Sequence, residues 1–353
     1  AETPGWGASG RNGGQVNPGL KPNPDDLVAR FGDDLGRRMA KRWGDGGPLL
    51  FGLIEKHGIR CDAAPVGFLR AATSDKTLAG LKEVASQWRA HGADYDEVSA
   101  DEMTQMVGAD AYIGGVIDRR GGNIHPLNYA LGLADAAEKA GAVIHSHSRV
   151  TGFASDNGEV TVETASGLVK ARRALICTNA YTGDLGGNLG KTVVPVTSVQ
   201  VATAPLSDNI ARSILPDGHS PTDTRRLIFY FRKTADGRFV MGGRGAMGEG
   251  STRKRQQALR DAAVELYPQL GAADWDYAWG GNVAMTRDSL PGLHLLAPNV
   301  MAGLGFNGRG VANATVMGTI LADWAMGVPV SALDMVVSDP RPLPFHAFRN
   351  IGL

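Results

Sequence analysis

The sequence predicts an α/β fold interrupted by a block of antiparallel strands, an α+β insertion. Three stretches carry that expectation. A turn, helix and strand unit runs from Arg119 to Phe153, long strands dominate Val193 to Gly243, and a strand, glycine-rich loop and helix fill Val300 to Met326. At 353 residues the chain has the length of two domains sharing one cleft, and a ligand is expected between the helix and strand units and the β-rich block.

Asp25 to Ile59 has apolar residues at helical spacing, broken near Gly44 to Pro48, which reads as two helices or one broken helix. Pro65 to Ala72 reads as a strand and Lys76 to His91 as an amphipathic helix. Ser99 and Glu102 form a capping box that opens a short helix ending at Val107. A strand is expected over Tyr112 to Asp118. Pro126 then suits a first helical turn, Gly141 its stop, and AVIHSHSRV, residues 142–150, a following strand. Glu159 to Thr164 and Leu168 to Ala171 read as a hairpin, and RRALICTNA, from Arg172, as a buried strand ending in a polar turn. VVPVTSVQVATA, RLIFYFRK and RFVMGG are the long strands of the insertion, with a turn at Ala235 to Gly237. A helix is expected from Thr252 to Tyr267, extended chain from Trp275 to Met285, a short strand at Val300 to Met301 and a helix from about Val311 to Met326.

Lys plus Arg and Asp plus Glu number 36 each, and no basic run stands out, so the charge pattern gives no reason to expect nucleic acid or an anionic membrane surface as a partner. The 48 glycines lie between periodic segments, as suits a backbone that approaches a ligand at several turns. Cys61 and Cys177 are far apart and without metal-ligand spacing, which argues against a disulfide scaffold and a metal site. No apolar run nears the roughly 18 residues of a membrane span. The expectation is a cytoplasmic protein.

Two loops match the G-x-G-x-x-G spacing of a dinucleotide-binding turn: Gly5, Gly7, Gly10 and Gly303, Gly305, Gly308. The first lacks the preceding strand and following helix that the motif needs. The second has both, but no second strand ending in an acidic residue follows. What it retains is a helix N-terminus with free backbone donors, open to a carbonyl or an anion; a glycine-rich turn with no ligand is the other reading.

Taken in order, GWGASGRNGGQ, GGVIDRRGGNIHPLNYALGLADAA, RALICTNAYTG, FYFRKTADGRFVMGGRG, WGGNVAMTRDSLPG and GLGFNGRG resemble the blocks of FAD-dependent amine oxidoreductases of the D-amino-acid oxidase superfamily, nearest the gamma-glutamylputrescine oxidoreductase group. The resemblance spans Gly5 to Gly310. It implies a Rossmann-like FAD domain, here incomplete, interrupted by an antiparallel-sheet substrate domain. The FAD domain would take residues 1–58, 119–188 and 276–330, the substrate domain 59–118 and 189–275, and a tail 331–353. Matching the blocks places Ala1 just after the family's first strand–helix–strand, a unit of about 30 residues. The expectation is that an upstream segment carries the adenosine half of the site.

The resemblance also implies roles. Ser9, Gly10, Arg11, Asn12 and Gly13 would line the pyrophosphate and flavin edge, Val150 would meet adenine, and Thr178, Asn179 and Ala180 would pass the diphosphate. Gly305, Phe306, Asn307 and Gly308 would hold the flavin pyrimidine edge, their backbone N–H groups stabilising reduced flavin. No cysteine lies between Trp279 and Gly308, so FAD is expected to be non-covalent.

The family reaction moves a hydride from an amine-bearing carbon to flavin, leaves an imine for water, and returns electrons to oxygen or another acceptor. No protein nucleophile is required. Members acting on free α-amino acids or glycine clamp the carboxylate with two arginines; the matching positions here are Val283 and Phe306, which argues for an amine with its charge elsewhere. Arg232 reads either as a contact to a remote carboxylate or amide or as a solvated strand arginine. His125 reads as a tuning group beside the flavin or as a satisfied helix-start histidine, and Trp279 with Phe306 as an aromatic wall or as core. The expected function is FAD-dependent oxidation of a gamma-glutamylputrescine-like amine. The alternatives are a D-amino-acid or N-methyl amino-acid dehydrogenase or oxidase and, in another class, a non-catalytic chain that does not bind FAD by itself.

Overall fold

The computed structural model describes residues 2–245 and 249–344. The expected tail from 331 therefore lies partly outside the described residues. The chain opens with a one-turn helix, α1 (Ala8–Arg11), and a short strand, β1 (Gln15–Val16). Three helices follow, α2 (Pro24–Phe31), α3 (Asp33–Gly44) and α4 (Gly46–His57). Asn23 and Asp26 form a capping box around Pro24, and Gly32, at φ 81°, ends α2 in a backbone conformation that side chains rarely tolerate. The break foreseen near Gly44 is real; Gly32 adds a second, so the stretch holds three helices.

Next come β2 (Phe68–Ala71), α5 (Asp75–Ala90), β3 (Tyr95–Val98), α6 (Ala100–Val107), β4 (Gly115–Asp118), β5 (Gly122–Asn123) and α7 (Pro126–Lys139). The capping box of α6 is formed as read: the N–H and hydroxyl of Ser99 donate to the Glu102 carboxylate at 2.8 and 2.7 Å. The strand expected over residues 142–150 does not form. Those residues are irregular up to Arg149, with Val143 and Ile144 exposed. An apolar run becomes a strand only beside a partner that takes its N–H and C=O groups, and no described strand lies alongside this one.

A meander follows, β6 (Val150–Asp156), β7 (Glu159–Thr164) and β8 (Gly167–Ala171), leading into β9 (Ala174–Ile176). The remaining elements are β10 (Val194–Ala202), α8 (Asp208–Ser213), β11 (Ser220–Asp223), β12 (Phe229–Lys233), β13 (Phe239–Arg244), α9 (Glu249–Leu266), β14 (Tyr277–Met285), β15 (Gly292–Ala297), β16 (Val300–Leu304), α10 (Gly310–Ala325) and β17 (Val337–Ser338).

The fold is mixed α/β. An eight-stranded sheet has the order β14-β10-β13-β12-β11-β2-β4-β3, antiparallel except where β11 runs parallel to β2. A four-stranded sheet, β17-β15-β16-β9, packs against α10, and β9 lies parallel to β16. β14 falls in the segment 276–330 expected for the cofactor domain, yet it pairs along the whole of β10 from Met285 opposite Val194 to Tyr277 opposite Ala202. Register with β10 places it in the larger sheet.

Each sheet has its own core. Phe231, Phe239 and Tyr267 meet edge-on or tilted at 5.4 to 6.0 Å between ring centres, where α9 crosses the larger sheet. Met39, Trp43, Val316, Ile320 and Trp324 fill the space between α3, α10 and the smaller sheet. Each such side chain contributes about 1.5–3 kcal/mol on burial. Among the described residues no helix is long and apolar enough to cross a membrane, and no group of His, Cys, Asp and Glu is placed to hold a metal.

Candidate active site

A cavity of about 2400 Å³ opens between the two sheets. This exceeds the roughly 300–1,000 Å³ of an ordinary ligand pocket and has room for a dinucleotide together with a substrate. Three chain segments bring backbone to it: the loop around α1, the turn after β9 and the loop between β16 and α10.

The first loop is pinned from outside. Asn12 folds its amide back onto the carbonyl of Ala8 at 3.0 Å and accepts from the N–H of Gly14 at 2.9 Å. Trp279, on β14, donates its indole N–H to the carbonyl of Arg11 at 3.0 Å, and Arg232, on β12, donates Nε–H to the carbonyl of Gly13 at 2.7 Å. Gly10 must be glycine: a Cβ there would run into the carbonyl of Gly5 and the side chain of Leu127.

The second and third segments are tied to one another. Asn179, at φ 46°, accepts the N–H of Gly305 on its side-chain oxygen at 2.9 Å. Asn307, at φ 53°, donates to the carbonyl of Gly305 at 2.7 Å and accepts from the N–H of Thr286 at 2.9 Å. These bonds hold the loop while leaving its inner face free. Gly308, at φ 87°, has nothing within 4 Å of where a Cβ would stand. Arg309 caps α10 without a side-chain hydrogen bond, no acidic residue stands in the first turn, and residues 308–311 line the cavity. The result is an uncapped N-terminus of a 16-residue helix opening on the cavity, a site suited to a carbonyl oxygen or an anion.

Of the residues singled out from sequence, Ser9, Arg11, Asn12, Gly13, Val150, Thr178, Asn179, Phe306, Asn307 and Gly308 line this cavity. Gly10, Ala180 and Gly305 stand behind the lining as supports. His125 accepts the N–H of Asn128 at 3.3 Å as the cap of α7 and does not line the cavity. Arg232 is buried with only 7 % of its surface exposed, so it is neither a solvated strand arginine nor a cavity group: it pins Gly13, and burial lowers its guanidinium to about 10. Trp279 lies outside the lining for the same reason. Phe306 and Val283 both line it and put apolar surface there. Cys177, expected within a buried strand, follows β9, is exposed and lines the cavity.

The opposite wall was not foreseen. Phe68 and Arg70 of β2, Thr222 of β11 and Tyr230 of β12 face the cavity, joined by Gln15, which accepts from the Thr222 hydroxyl at 3.0 Å. Ser198 and Gln200 of β10 hydrogen-bond the Tyr230 hydroxyl. The alternation of Phe68 and Arg70 onto one face was visible in the sequence, but nothing there said which face met a ligand.

The sequence has known relatives. A family model described as FAD dependent oxidoreductase matches residues 1–324. The chain is 33 % identical over 325 residues to gamma-glutamylputrescine oxidoreductase of Escherichia coli (strain K12), covering 92 % of this chain and 76 % of that protein. It is 31 % identical to a probable oxidoreductase, OrdL, of Haemophilus influenzae, over 92 % of this chain and 75 % of the relative. Among solved structures, glycine oxidase from Geobacillus kaustophilus superposes with a TM-score of 0.75 at 20 % identity, covering 93 % of this chain and 86 % of that one. L-proline dehydrogenase from P. horikoshii gives 0.70 at 19 % identity, over 89 % and 84 % of the two chains.

Proposed function

Because the chain belongs to the FAD-dependent oxidoreductase family and acts on amines or amino acids, we propose that its substrate is a terminal amine of the gamma-glutamylputrescine type rather than a small free amino acid. The observation that carries this is the pair Val283 and Phe306. Both line the cavity beside the last glycine-rich loop, and both are apolar where related amino-acid oxidases are expected to carry carboxylate-binding arginines.

FAD, when bound, supplies the acceptor for the hydride that leaves the amine-bearing carbon. The protein's own part is positioning. The loop of Ser9 to Gly13 and the turn at Thr178 and Asn179 would hold the diphosphate through backbone groups. The donors at Gly308 and the start of α10 would face the flavin pyrimidine edge, where negative charge grows on reduction, and their fixed orientation costs no reorganisation. Phe306 and Val283 keep water from the amine-bearing carbon and favour an uncharged amine there. No side chain lining the cavity is required as a nucleophile.

The test is anaerobic mixing of the FAD-loaded chain with single amines. Gamma-glutamylputrescine and close terminal amines are expected to bleach the flavin absorbance, and glycine or D-alanine to leave it unchanged at the same concentration. Bleaching by the amino acids alone would overturn the substrate assignment.

A further inference from the structure

Where the last glycine-rich loop meets the eight-stranded sheet, the cavity is lined by cations that form no ion pair with the described residues. Arg70 on β2, Arg309 at the start of α10 and Lys21 all line the cavity there. Arg309 donates from one terminal nitrogen to the carbonyls of Pro18, Gly19 and Leu20, the last at 2.6 Å, which anchors the guanidinium beside the loop that bears Lys21. Its Nε and second terminal nitrogen have no hydrogen-bond partner among the described residues, and Arg70 has neither a hydrogen bond nor an ion pair among them. None of these free nitrogens is sealed inside the protein, so they stay open to an acceptor that enters the cavity.

The nearby carboxylates are already taken. Asp118, fully buried, grips Arg120 with both oxygens at 2.9 and 2.8 Å, and Asp223 holds Arg225 at 2.8 Å while accepting the N–H of Phe229 at 2.9 Å. Burial and then the charge of Arg70 lower Arg309 to about 10, and burial and then Arg309 lower the Lys21 ammonium. Arg309 thus lies within electrostatic reach of both Arg70 and Lys21, and the carboxylate that also reaches it, Asp118, is already bound to Arg120. Around them stand neutral groups: the ring of Phe68, on the same face as Arg70, and the hydroxyl of Thr222, its partner across β11.

We propose that Arg70, Arg309 and Lys21 form an anion subsite that receives a carboxylate carried by the substrate away from the amine being oxidised. This rests on the amine-oxidation reading and adds to it the side chains that would take the free carboxylate at the far end of an acylated diamine. Arg309, held by three carbonyls, fixes the position of the subsite, and Arg70, free of protein partners, makes the exchangeable contact.

Two matched compounds test this: putrescine acylated with glutaric acid, and putrescine acylated with pentanoic acid, which has a methyl in place of the carboxylate. With the FAD-loaded chain, the glutaryl compound is expected to show a KM about 10–100-fold lower at similar kcat, the worth of one or two charge-assisted hydrogen bonds. Arg70→Met is expected to reduce that ratio to about threefold, Arg70→Lys to restore part of it, and both to retain flavin content. Equal KM values in the unmodified protein overturn the subsite and leave amine oxidation standing. Loss of flavin in Arg70→Met also overturns it, because the cation then serves the cofactor. If neither compound bleaches the flavin, the amine reading fails. Calorimetric titration with the butylamides of glutaric and pentanoic acid, which have no amine to oxidise, then decides the subsite alone: tighter binding of the glutaric amide supports it, and equal binding overturns it.

Discussion

On one side of the cavity, at Ser9 to Gly13, Thr178 to Asn179 and Phe306 to Gly308, the wall is built of loops, bent through left-handed positions at Asn179, Asn307 and Gly308 and held by asparagine side chains. On the other side, at β2, β11 and β12, it is side chain, projected from a regular sheet with a packed core behind it. The first wall suits a large ligand common to a whole family, since backbone donors do not change when residues do. The second suits the part of the substrate that differs between members, because each strand position can be exchanged without moving its neighbours. The first is therefore intolerant of added atoms, and the second of lost partners.

The largest effect expected is on the sheet side. Asp118→Asn leaves the Arg120 guanidinium, stacked 4.5 Å from the Trp88 ring centre, without its buried carboxylate. About 3–5 kcal/mol of stability should be lost, read by urea unfolding. A loss under about 1 kcal/mol would show that the pair does not hold this wall.

The next contrast sets one wall against the other. Gly10→Ala drives a Cβ into the carbonyl of Gly5, at about 1–3 kcal/mol, and flavin content of the purified protein should fall sharply. Thr222→Ala, which removes the hydrogen bond to Gln15, should cost about 1 kcal/mol and leave flavin content unchanged. Equal flavin loss in both variants would erase the distinction between backbone and side-chain walls.

The smallest effect concerns pH. His294, on β15 of the smaller sheet, has its pKa lowered by burial, which outweighs the opposing influence of the Ser338 carbonyl and Asp339. Its folded pKa lies below the unfolded value of about 6.5. The unfolded chain therefore binds the proton first, so this contribution to stability is complete above about pH 6.5 and is lost as pH falls through the folded pKa. His219, near β11, is lowered by burial in the same sense. His294→Gln should make Tm fall less steeply between about pH 7 and 5; an unchanged slope would remove His294 from the acid response.

What could be read from residues alone follows the range of the forces involved. The α6 capping box, the Pro126 start of α7 and the turn after Thr234 depend on contacts within a few residues, and each is formed as expected. β11 reads SPTD and gave no strand signal; it exists because β2, about 150 residues earlier, accepts it in parallel register. Residues 142–150 failed in the opposite sense, with good strand composition and no partner. At the site, the glycine loops announced themselves by spacing, whereas Arg70 is one arginine in an ordinary strand.

The local turns, the glycine loops that reach the cavity and the family of the chain were legible from residues alone, because positive φ, helix caps and motif spacing are short-range properties. That Arg232 and Trp279 brace the loop instead of lining the cavity, and that Arg70, Arg309 and Lys21 open onto the same cavity, emerged from the assembled fold. Direction and neighbourhood depend on sheet register between segments far apart in the chain, and register is set by packing, not by the residues of any one strand.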